Sequence, residues 1–456
     1  MIRSYEVLSR TKTTLALIGF CISFFMVITD VTAVNVALPN IQNVLHATIS
    51  ALQWVVAGYT LTFACFLLLS GHLSDLLGAK RVLLIGLLLF ILTSLACALS
   101  PNVNVLILFR LLQGVAGATL VPCSLSLINA TYSDPNVKAQ KIGLWASIGG
   151  LAAVAGPVLG GFLTGYLSWR AVFFVNIPFG LLAMWLIHRN SRESEVHEHL
   201  HFDVAGLLLA IISIASLSLA LIESGSLGWS APLVQLAMIV FLVSAFLFVL
   251  IEKRVKQPML PLHFFKINRF AIAVGVGMVL NFGVYGELFV LPFYFQHIRG
   301  YGIVETGLAL LPLVSLIAIS SYISGKFVSV IGVKMPLIIG LSIGALGFLG
   351  LLIVQAKSPS YYWLILPLAA MGFGISFCQP AATITAIYAL PKDRAGLAAA
   401  IFTTSRQIGS LLGVAIFGSL IATTSHFVAG FHITLIISAM LYLGALLVTL
   451  TLSGKS

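Results

Sequence analysis

The sequence predicts an all-α membrane protein of about fourteen transmembrane helices, and three observations lead to that fold class. Of its 456 residues, 60% are hydrophobic and only 8% are charged, whereas charged residues make up about a quarter of a soluble domain. The apolar runs continue for about 20 residues, the length of a membrane helix, without the alternation of β-barrel strands. Because lipid offers no hydrogen-bond partners, the backbone of such runs must be helical.

The apolar runs fix the approximate position of each span along the chain. A span is placed wherever about 20 mainly apolar residues lie between polar segments. The predicted spans are 14–38, 51–71, 81–100, 104–129, 140–165, 170–188, 203–222, 230–251, 269–296, 305–330, 335–355, 361–386, 396–421 and 430–452.

The basic residues predict the orientation of these spans. If the N-terminus is cytoplasmic, all but five of the 24 Lys and Arg residues fall on the inner side. Three of the five, Arg170, Arg299 and Lys357, lie outside, and Arg110 and Arg406 lie within spans. The positive-inside rule therefore predicts a multi-pass protein of the bacterial cytoplasmic (inner) membrane with both termini inside. The net charge of +11 is scattered at helix ends, which argues against a nucleic-acid partner and for anionic membrane lipids.

An internal repeat predicts how the spans are grouped. Gly325, Gly332 and Lys334 recur after span ten with the spacing that Gly71, Gly78 and Lys80 have after span two. Such a repeat is typical of transporters built from two related halves. We therefore predict a six-span bundle at 1–188, linkers with a two-span insert at 189–268, and a second six-span bundle at 269–456.

A polar segment between spans two and three is predicted to be a tight loop at the membrane surface. Its glycines permit a turn, its aspartate can pair with helix ends, and its cations can contact lipid headgroups. We assign a gating role to Gly71, Asp75, Gly78, Lys80 and Arg81. In the second copy Ser329 replaces Asp75, so the acidic residue occurs only in the first half.

Four charged residues lie deep within the predicted spans, away from the span ends: Asp30, Arg110, Glu287 and Arg406. Each costs several kcal/mol in hydrocarbon unless it meets a partner or a wet cavity. Arg110 shares a helix face with Gln113, and Arg406 is similarly placed on span thirteen, which predicts one cavity-facing arginine per bundle. The alternative is that each arginine joins helices by binding backbone carbonyls. Asp30 has no polar neighbour on its own face, so Arg110 is its expected partner.

The fifth span is predicted to be bent and lined by small residues. Pro157 removes a backbone hydrogen bond, and glycines on either side allow another helix to approach closely. The candidate motif is Gly143, Gly156, Pro157, Gly160 and Gly161.

Several of these segments, taken together, resemble the major facilitator superfamily, and most closely its drug:proton antiporter family with fourteen spans. The fifth-span motif resembles the one that marks exporters within that superfamily. The matching segments are Asp30 with Asn35-Val36-Ala37-Leu38-Pro39, the polar segment from Gly71 to Arg81, Arg110 with Gln113-Gly114, the bent fifth span, Trp169-Arg170 with Asn176-Ile177-Pro178, and Arg406-Gln407. The resemblance implies two bundles that rock around a central cavity and export lipophilic, often cationic compounds in exchange for protons. Span ten departs from some members because it has no acidic residue between Leu308 and Ser324.

On this view the small-molecule cargo and protons are the main partners, and no cofactor other than the proton gradient and no metal is expected. The carboxylate of Asp30 is suited to hold a proton or a cationic substrate, but not both. The proton-coupling residues are predicted to be Asp30, Arg110 and Glu287, and the substrate cavity Asp30, Gln113, Glu287, Tyr294 and Arg406. For Glu287 three roles stay open: a second coupling carboxylate, a substrate counter-ion, or a lipid-facing side chain.

Two other classes of function stay open at the level of sequence. One is a dedicated transporter of a single metabolite, antibiotic or siderophore. The other is a metalloprotease, because residues 197–201 (His-Glu-His-Leu-His) fit the zinc-binding H-E-x-x-H pattern, although in a polar linker rich in Arg and Glu. The recruitment of a periplasmic adaptor is also left open by the sequence.

Overall fold

The computed structural model describes residues 10–194, 203–255, 258–354, 360–391, 394–424 and 426–452. Helices account for almost all of these residues, and fourteen of the helical segments are long and apolar enough to cross a membrane. The α-helices are α1 Arg10–Leu45, α2 Ile49–Leu77, α3 Ala79–Ala98, α4 Val103–Thr131, α5 Pro135–Tyr166, α6 Ala171–Phe174, α7 Asn176–Asn190, α8 Val204–Leu227, α9 Pro232–Arg254, α10 Asn268–Phe293, α11 Ile303–Ala309, α12 Leu311–Ile331, α13 Lys334–Gly350, α14 Tyr362–Tyr388, α15 Ala395–Thr423 and α16 Phe427–Leu450.

The predicted fourteen-span architecture is confirmed. Helices α1–α7 pack into an N-terminal bundle and α10–α16 into a C-terminal bundle, while α8 and α9 form a hairpin between them in the chain. We call the side on which α1 begins and α16 ends the terminal face, and the other side the opposite face. Two spans are less regular than predicted: span six is split into α6 and α7, and span ten into α11 and α12. The second break precedes Pro312, whose missing N–H cannot continue the ladder of α11.

The segment from Gly71 to Arg81 is mostly helical, which corrects the prediction of a loop. Helix α2 continues to Leu77, and α3 begins at Ala79. Only Gly78 interrupts them, with a φ of +91° that a residue with a Cβ rarely adopts. Because Ser74 to Leu77 contain no helix breaker, the helix runs on until that glycine. The polar segment is therefore a sharp joint rather than a flexible turn.

The internal repeat is visible in three dimensions at this joint. Lys80 Nζ donates to the carbonyls of His188 (2.9 Å) and Ser191 (2.6 Å), at the C-terminal end of α7. Lys334 Nζ donates in the same way to the carbonyls of Leu450 (2.8 Å) and Leu452 (2.6 Å), at the end of α16. Each lysine binds carbonyls that the end of a helix leaves unpaired, and its positive charge lies at the negative end of that helix's dipole.

The two bundles are bonded to each other near the opposite face. Gln53 Nε2 on α2 donates to the carbonyls of Val414 (3.1 Å) and Ala415 (2.7 Å) on α15. Gln296 Nε2, in a π-helical turn after α10, donates to Val36 O of α1 at 3.2 Å. These bonds tie the helix ends of both bundles together, so the structure represents a conformation closed on the opposite face.

The insert packs on both bundles through α8. Glu223 Oε1 accepts hydrogen bonds from Ser50 Oγ and Trp54 Nε1 of α2, both at 3.0 Å. On its other side, α8 accepts a hydrogen bond at Leu221 O from Ser419 Oγ of α15 at 2.6 Å. Helix α8 therefore lies along the junction between α2 and α15, which belong to different bundles.

Candidate functional site

The centre of the N-terminal bundle contains the ion pair that the sequence predicts. Arg110 Nη1 on α4 donates to Asp30 Oδ2 on α1 at 2.5 Å. Each residue is 1% exposed. Removing two charges from water is costly unless their remaining polar atoms are also bonded. The surroundings of the pair therefore decide whether it is stable.

The second oxygen of Asp30 is satisfied by two amides. Its Oδ1 accepts from Gln113 Nε2 at 3.2 Å and from Asn176 Nδ2 at 3.0 Å. Asn176 also donates to Ser94 Oγ at 3.0 Å, which extends the network to α3. The carboxylate thus gathers donors from α4 and α7, and it holds the bundle together as well as binding the arginine. Sequence reasoning quoted Asn176 in the span-six motif but gave it no role at the carboxylate.

Arg110 is enclosed by aromatic rings and a backbone carbonyl. Its Nε donates to Val55 O at 3.0 Å, and its guanidinium carbon lies 4.3 Å from the Tyr59 ring centroid and 5.7 Å from that of Phe173. Contacts of this kind stabilise a desolvated cation. The sequence gave no signal for Tyr59, because a tyrosine on an apolar helix looks like an ordinary core residue.

A cavity of about 40 Å³ lies between the two bundles. Helix α1 contributes Val27, Ile28 and Val31, and the C-terminal bundle contributes Tyr285, Gln407 and Ser410. Tyr59, Thr60 and Phe63 of α2 complete the wall. Because Tyr59 both lines the cavity and stacks on Arg110, its ring separates the ion pair from the cavity. Asp30 and Gln113 lie behind this wall, and their role as substrate ligands stays a prediction.

Arg406 lies in the wall of the C-terminal bundle, on α15. Its Nε donates to Asn281 Oδ1 of α10 at 3.3 Å. The amide of Gln379 on α14 is assigned with its oxygen toward the guanidinium, where it accepts from Nη1 at 2.7 Å and from Nη2 at 2.6 Å. The side chain is partly exposed. Among the described residues, no carboxylate pairs with Arg406.

Glu287 is separated from the cavity by its own helix. It is 0% exposed, on the side of α10 that packs on α16, where Thr434 is its nearest polar neighbour. Thr434 Oγ1 donates instead to Phe431 O at 2.7 Å, and neither carboxyl oxygen has a hydrogen-bond partner among the described residues. An ionised carboxylate is costly in such a place, so the neutral acid is favoured. Full burial excludes the lipid-facing alternative and leaves the coupling role as a prediction.

Tyr294, predicted to line the substrate cavity, is packed near the opposite face. It is 1% exposed, its ring lies 5.4 Å from that of Phe431, and its hydroxyl accepts from Arg299 Nη1 at 3.4 Å. It belongs to the closed end of the C-terminal bundle in this conformation.

The gating residues surround the joint between α2 and α3 at the terminal face. Asp75 is exposed there and forms no hydrogen bond or ion pair within the described part of the chain. Glu193, to which the sequence gave no role, binds the start of α3: Lys80 N donates to Oε1 at 2.6 Å and Arg81 N to Oε2 at 3.1 Å. Its negative charge complements the helix N-terminus. Glu193, which follows the end of span six, thus fixes the start of α3.

The glycine motif of α5 forms close contacts with helices of both bundles. A Cβ on Gly160 would lie 2.5 Å from Ala33 O of α1, and one on Gly307 of α11 would lie 2.5 Å from Pro157 O. Gly156 contacts α1 and Gly161 contacts α11 in the same manner, whereas Gly143 is exposed with open space around it. The motif therefore lets α5 pack closely against α1 of its own bundle and against α11 of the other bundle. The histidine-rich pattern at 197–201 lies outside the described residues.

Fourteen membrane helices in two related bundles, with a cavity between them and buried charges beside it, define a membrane transporter that works by alternating access. The chain matches the model of the Major Facilitator Superfamily over residues 20–414, and it belongs to that family.

Named relatives agree with this assignment. The chain is 36% identical over 408 residues to the multidrug resistance protein Stp of Mycobacterium tuberculosis, covering 90% of this chain and 76% of that protein. It is 32% identical over 446 residues to the methylenomycin A resistance protein of Bacillus subtilis, covering 96% and 94%. In fold it is similar to a solved D-xylose-proton symporter, with a TM-score of 0.70 at 15% identity, over 97% of this chain and 99% of that one.

Proposed function

We propose that the protein exports drugs or other toxic lipophilic compounds across a bacterial cytoplasmic membrane in exchange for protons. Relatives that span nearly its whole length are named for multidrug and antibiotic resistance. The observation that carries proton coupling is the Asp30–Arg110 pair, a fully buried carboxylate whose charge is balanced by one movable cation. When a carboxyl group binds a proton instead of pairing with an internal cation, the relative stability of the protein's conformations changes, and the proton gradient can then drive transport.

The coupling step follows from the closed network around Asp30. Protonation of this carboxylate would weaken its bond to the Arg110 guanidinium, because a neutral acid no longer balances the charge of the arginine. Arg110 would then be held by Val55 O and the Tyr59 ring. Since Tyr59 also lines the cavity, movement of Arg110 changes the wall against which a substrate packs. Proton binding and substrate binding are linked through that ring.

The orientation follows from the distribution of basic residues. We propose that the terminal face is cytoplasmic, with both termini inside, and that residues 1–188 and 269–456 rock about the cavity while 189–268 carry the insert. Membrane lipids would contact the basic ends of the helices, and no adaptor is needed for the cycle proposed here. A reporter fused after Lys334 should be active only in the cytoplasm. Activity on the outer side would reject this orientation.

The alternative is a transporter dedicated to one compound. Two relatives at 32% and 34% identity are named for resistance to methylenomycin A alone, and the cavity of this conformation is small. A dedicated exporter would use the same coupling step but accept a single scaffold.

Purified protein in liposomes with an imposed pH gradient tests both. A panel of lipophilic acids, neutral antibiotics, cationic dyes and metabolites would be offered, with protein-free liposomes as the control. Gradient-dependent accumulation of several unrelated compounds is expected. Accumulation of one metabolite alone would favour the dedicated transporter, and accumulation that ignores the gradient would reject proton coupling.

A further inference from the structure

The charges that border the cavity do not cancel. Asp30 and Arg110 neutralise each other behind Tyr59. Glu287 lies on the far side of α10, where the neutral acid is favoured. Of the two arginines in the middle of the membrane, Arg406 is the one without a carboxylate partner among the described residues, and its chain neighbour Gln407 lines the cavity.

The neighbours of Arg406 satisfy its hydrogen bonds without neutralising it. Asn281 and Gln379 offer only amide oxygens, so the guanidinium retains its full positive charge. Arg110 differs in this respect, because a carboxylate completes its shell. A buried cation held by neutral groups keeps a strong preference for an anion, since the surrounding medium screens its field weakly.

Arg406 lies beside the cavity, although it is not part of the cavity wall in this conformation. The residue is partly exposed, and Gln407 and Ser410, which follow it on α15, line the cavity. Asn281 links the two sites, because it accepts from Arg406 and donates to Ser410 Oγ at 3.1 Å. A substrate acid could replace the Gln379 amide at the two Nη groups, where a planar carboxylate binds in a bidentate manner.

The aromatic wall offers little compensation to a cationic substrate. Arg110 occupies one face of the Tyr59 ring at 4.3 Å, so a cationic substrate cannot use that face. Phe63 and Tyr285 supply apolar surface for the rest of the molecule. The cavity therefore combines an apolar, aromatic lining with a positive charge beside it.

We propose that the preferred substrates are lipophilic acids, carrying a carboxylate, enolate or phenolate that pairs with Arg406, and that permanent cations are disfavoured. This inference rests on the proposed export function and names the substrate class for its cavity. A unit charge about 8 Å away at an effective dielectric of about 20 changes affinity roughly 30-fold relative to a neutral molecule. The cavity should therefore bind an acid about 30-fold more tightly, and an amine about 30-fold more weakly, than a neutral molecule of the same shape, which gives an acid-to-amine ratio of about 1,000.

The test measures binding of three pyrene probes to purified protein in nanodiscs by fluorescence titration. The probes are 1-pyrenebutyric acid, 1-pyrenemethylamine and the neutral 1-pyrenebutanol. The wild type should bind the acid about 1,000-fold more tightly than the amine, with the neutral alcohol about 30-fold from each. Arg406→Gln should bring that ratio close to one, Arg406→Lys should keep most of it, and binding of the neutral alcohol should stay the same in all three proteins.

Equal or tighter binding of the amine by the wild type, or an unchanged ratio in Arg406→Gln, would overturn the charge assignment. Unchanged binding of the alcohol shows that the variant site is folded. Transport is measured separately in liposomes with a pH gradient: if none of the three probes is moved although the acid binds, the export function fails and the charge assignment stands.

Discussion

Replacing Asp30 by Asn tests the coupling carboxylate with little change in volume. In the native network, Oδ2 accepts from Arg110, and Oδ1 accepts from Gln113 and Asn176. An asparagine has one acceptor oxygen, so its NH₂ must face at least one of these donors in either orientation. Arg110 also loses its counter-charge. Breaking a buried ion pair by removing one partner costs about 3–5 kcal/mol, and we expect Asp30→Asn to lower the free energy of unfolding by that amount.

The variant should also lose proton-driven transport while keeping passive exchange. Without a titratable group at position 30, the Arg110 bond no longer depends on a proton, so uphill efflux should vanish. Counterflow of labelled substrate against unlabelled substrate needs no proton and should continue. Both are measured in liposomes, and protein stability is followed by thermal unfolding in detergent.

A double-mutant cycle supplies the control for folding. Arg110→Gln alone should be about as destabilising as Asp30→Asn, whereas the double variant should cost clearly less than the two single costs together, because no uncompensated charge remains. Full uphill efflux by Asp30→Asn would refute the coupling assignment. Additive stability losses would refute the ion pair as the source of the cost.

Three further variants test the joint, the second carboxylate and the insert. Asp75→Asn should slow turnover but leave substrate binding unchanged, because Asp75 does not line the cavity and has no hydrogen bond or ion pair within the described part of the chain. Weaker binding by well-folded protein would contradict a gating role. Glu287→Gln should keep the affinities for neutral and charged substrates within about 2-fold, because the residue does not line the cavity; a selective loss of cation binding would show that it is a counter-ion. Glu223→Ala removes the oxygen that accepts from both donors of α2, so it should shift the equilibrium away from the closed opposite face by about 1–3 kcal/mol. Spin-label distances between α2 and α15 would measure that shift, with Ser226→Ala as the matched control. Unchanged distances would show that Glu223 does not stabilise the closed opposite face.

The fold could be predicted from sequence because the membrane constrains it so strongly. Runs of about 20 apolar residues give the spans, and the cost of a charge in lipid leads directly to the Asp30–Arg110 pair. The sequence repeat that relates Lys80 to Lys334 is also a structural repeat, because each lysine donates to carbonyls at the end of a helix.

The orientation of each residue within its bundle was harder to predict. Buried membrane helices are apolar on every side, so periodicity does not reveal which face meets the cavity. That is why Glu287 and Tyr294 were assigned to the cavity, although both are buried, Glu287 on α10 and Tyr294 in the π-helical turn after it, and neither lines the cavity of this conformation. Asn176 and Glu193 were missed because they act on α1 and α3, at distances along the chain that no local pattern spans.

The position of α8 makes the two sides of the transporter unequal. The bundles meet along two junctions, α2 with α15 and α5 with α11 and α12. Helix α8 lies along the first junction. When α2 and α15 separate, the gap between them therefore faces α8 instead of lipid. The second junction has no such cover from α8. A lipophilic compound dissolved in the bilayer would therefore meet α8 at the first junction, and the direct contact of α5 with α12 at the second.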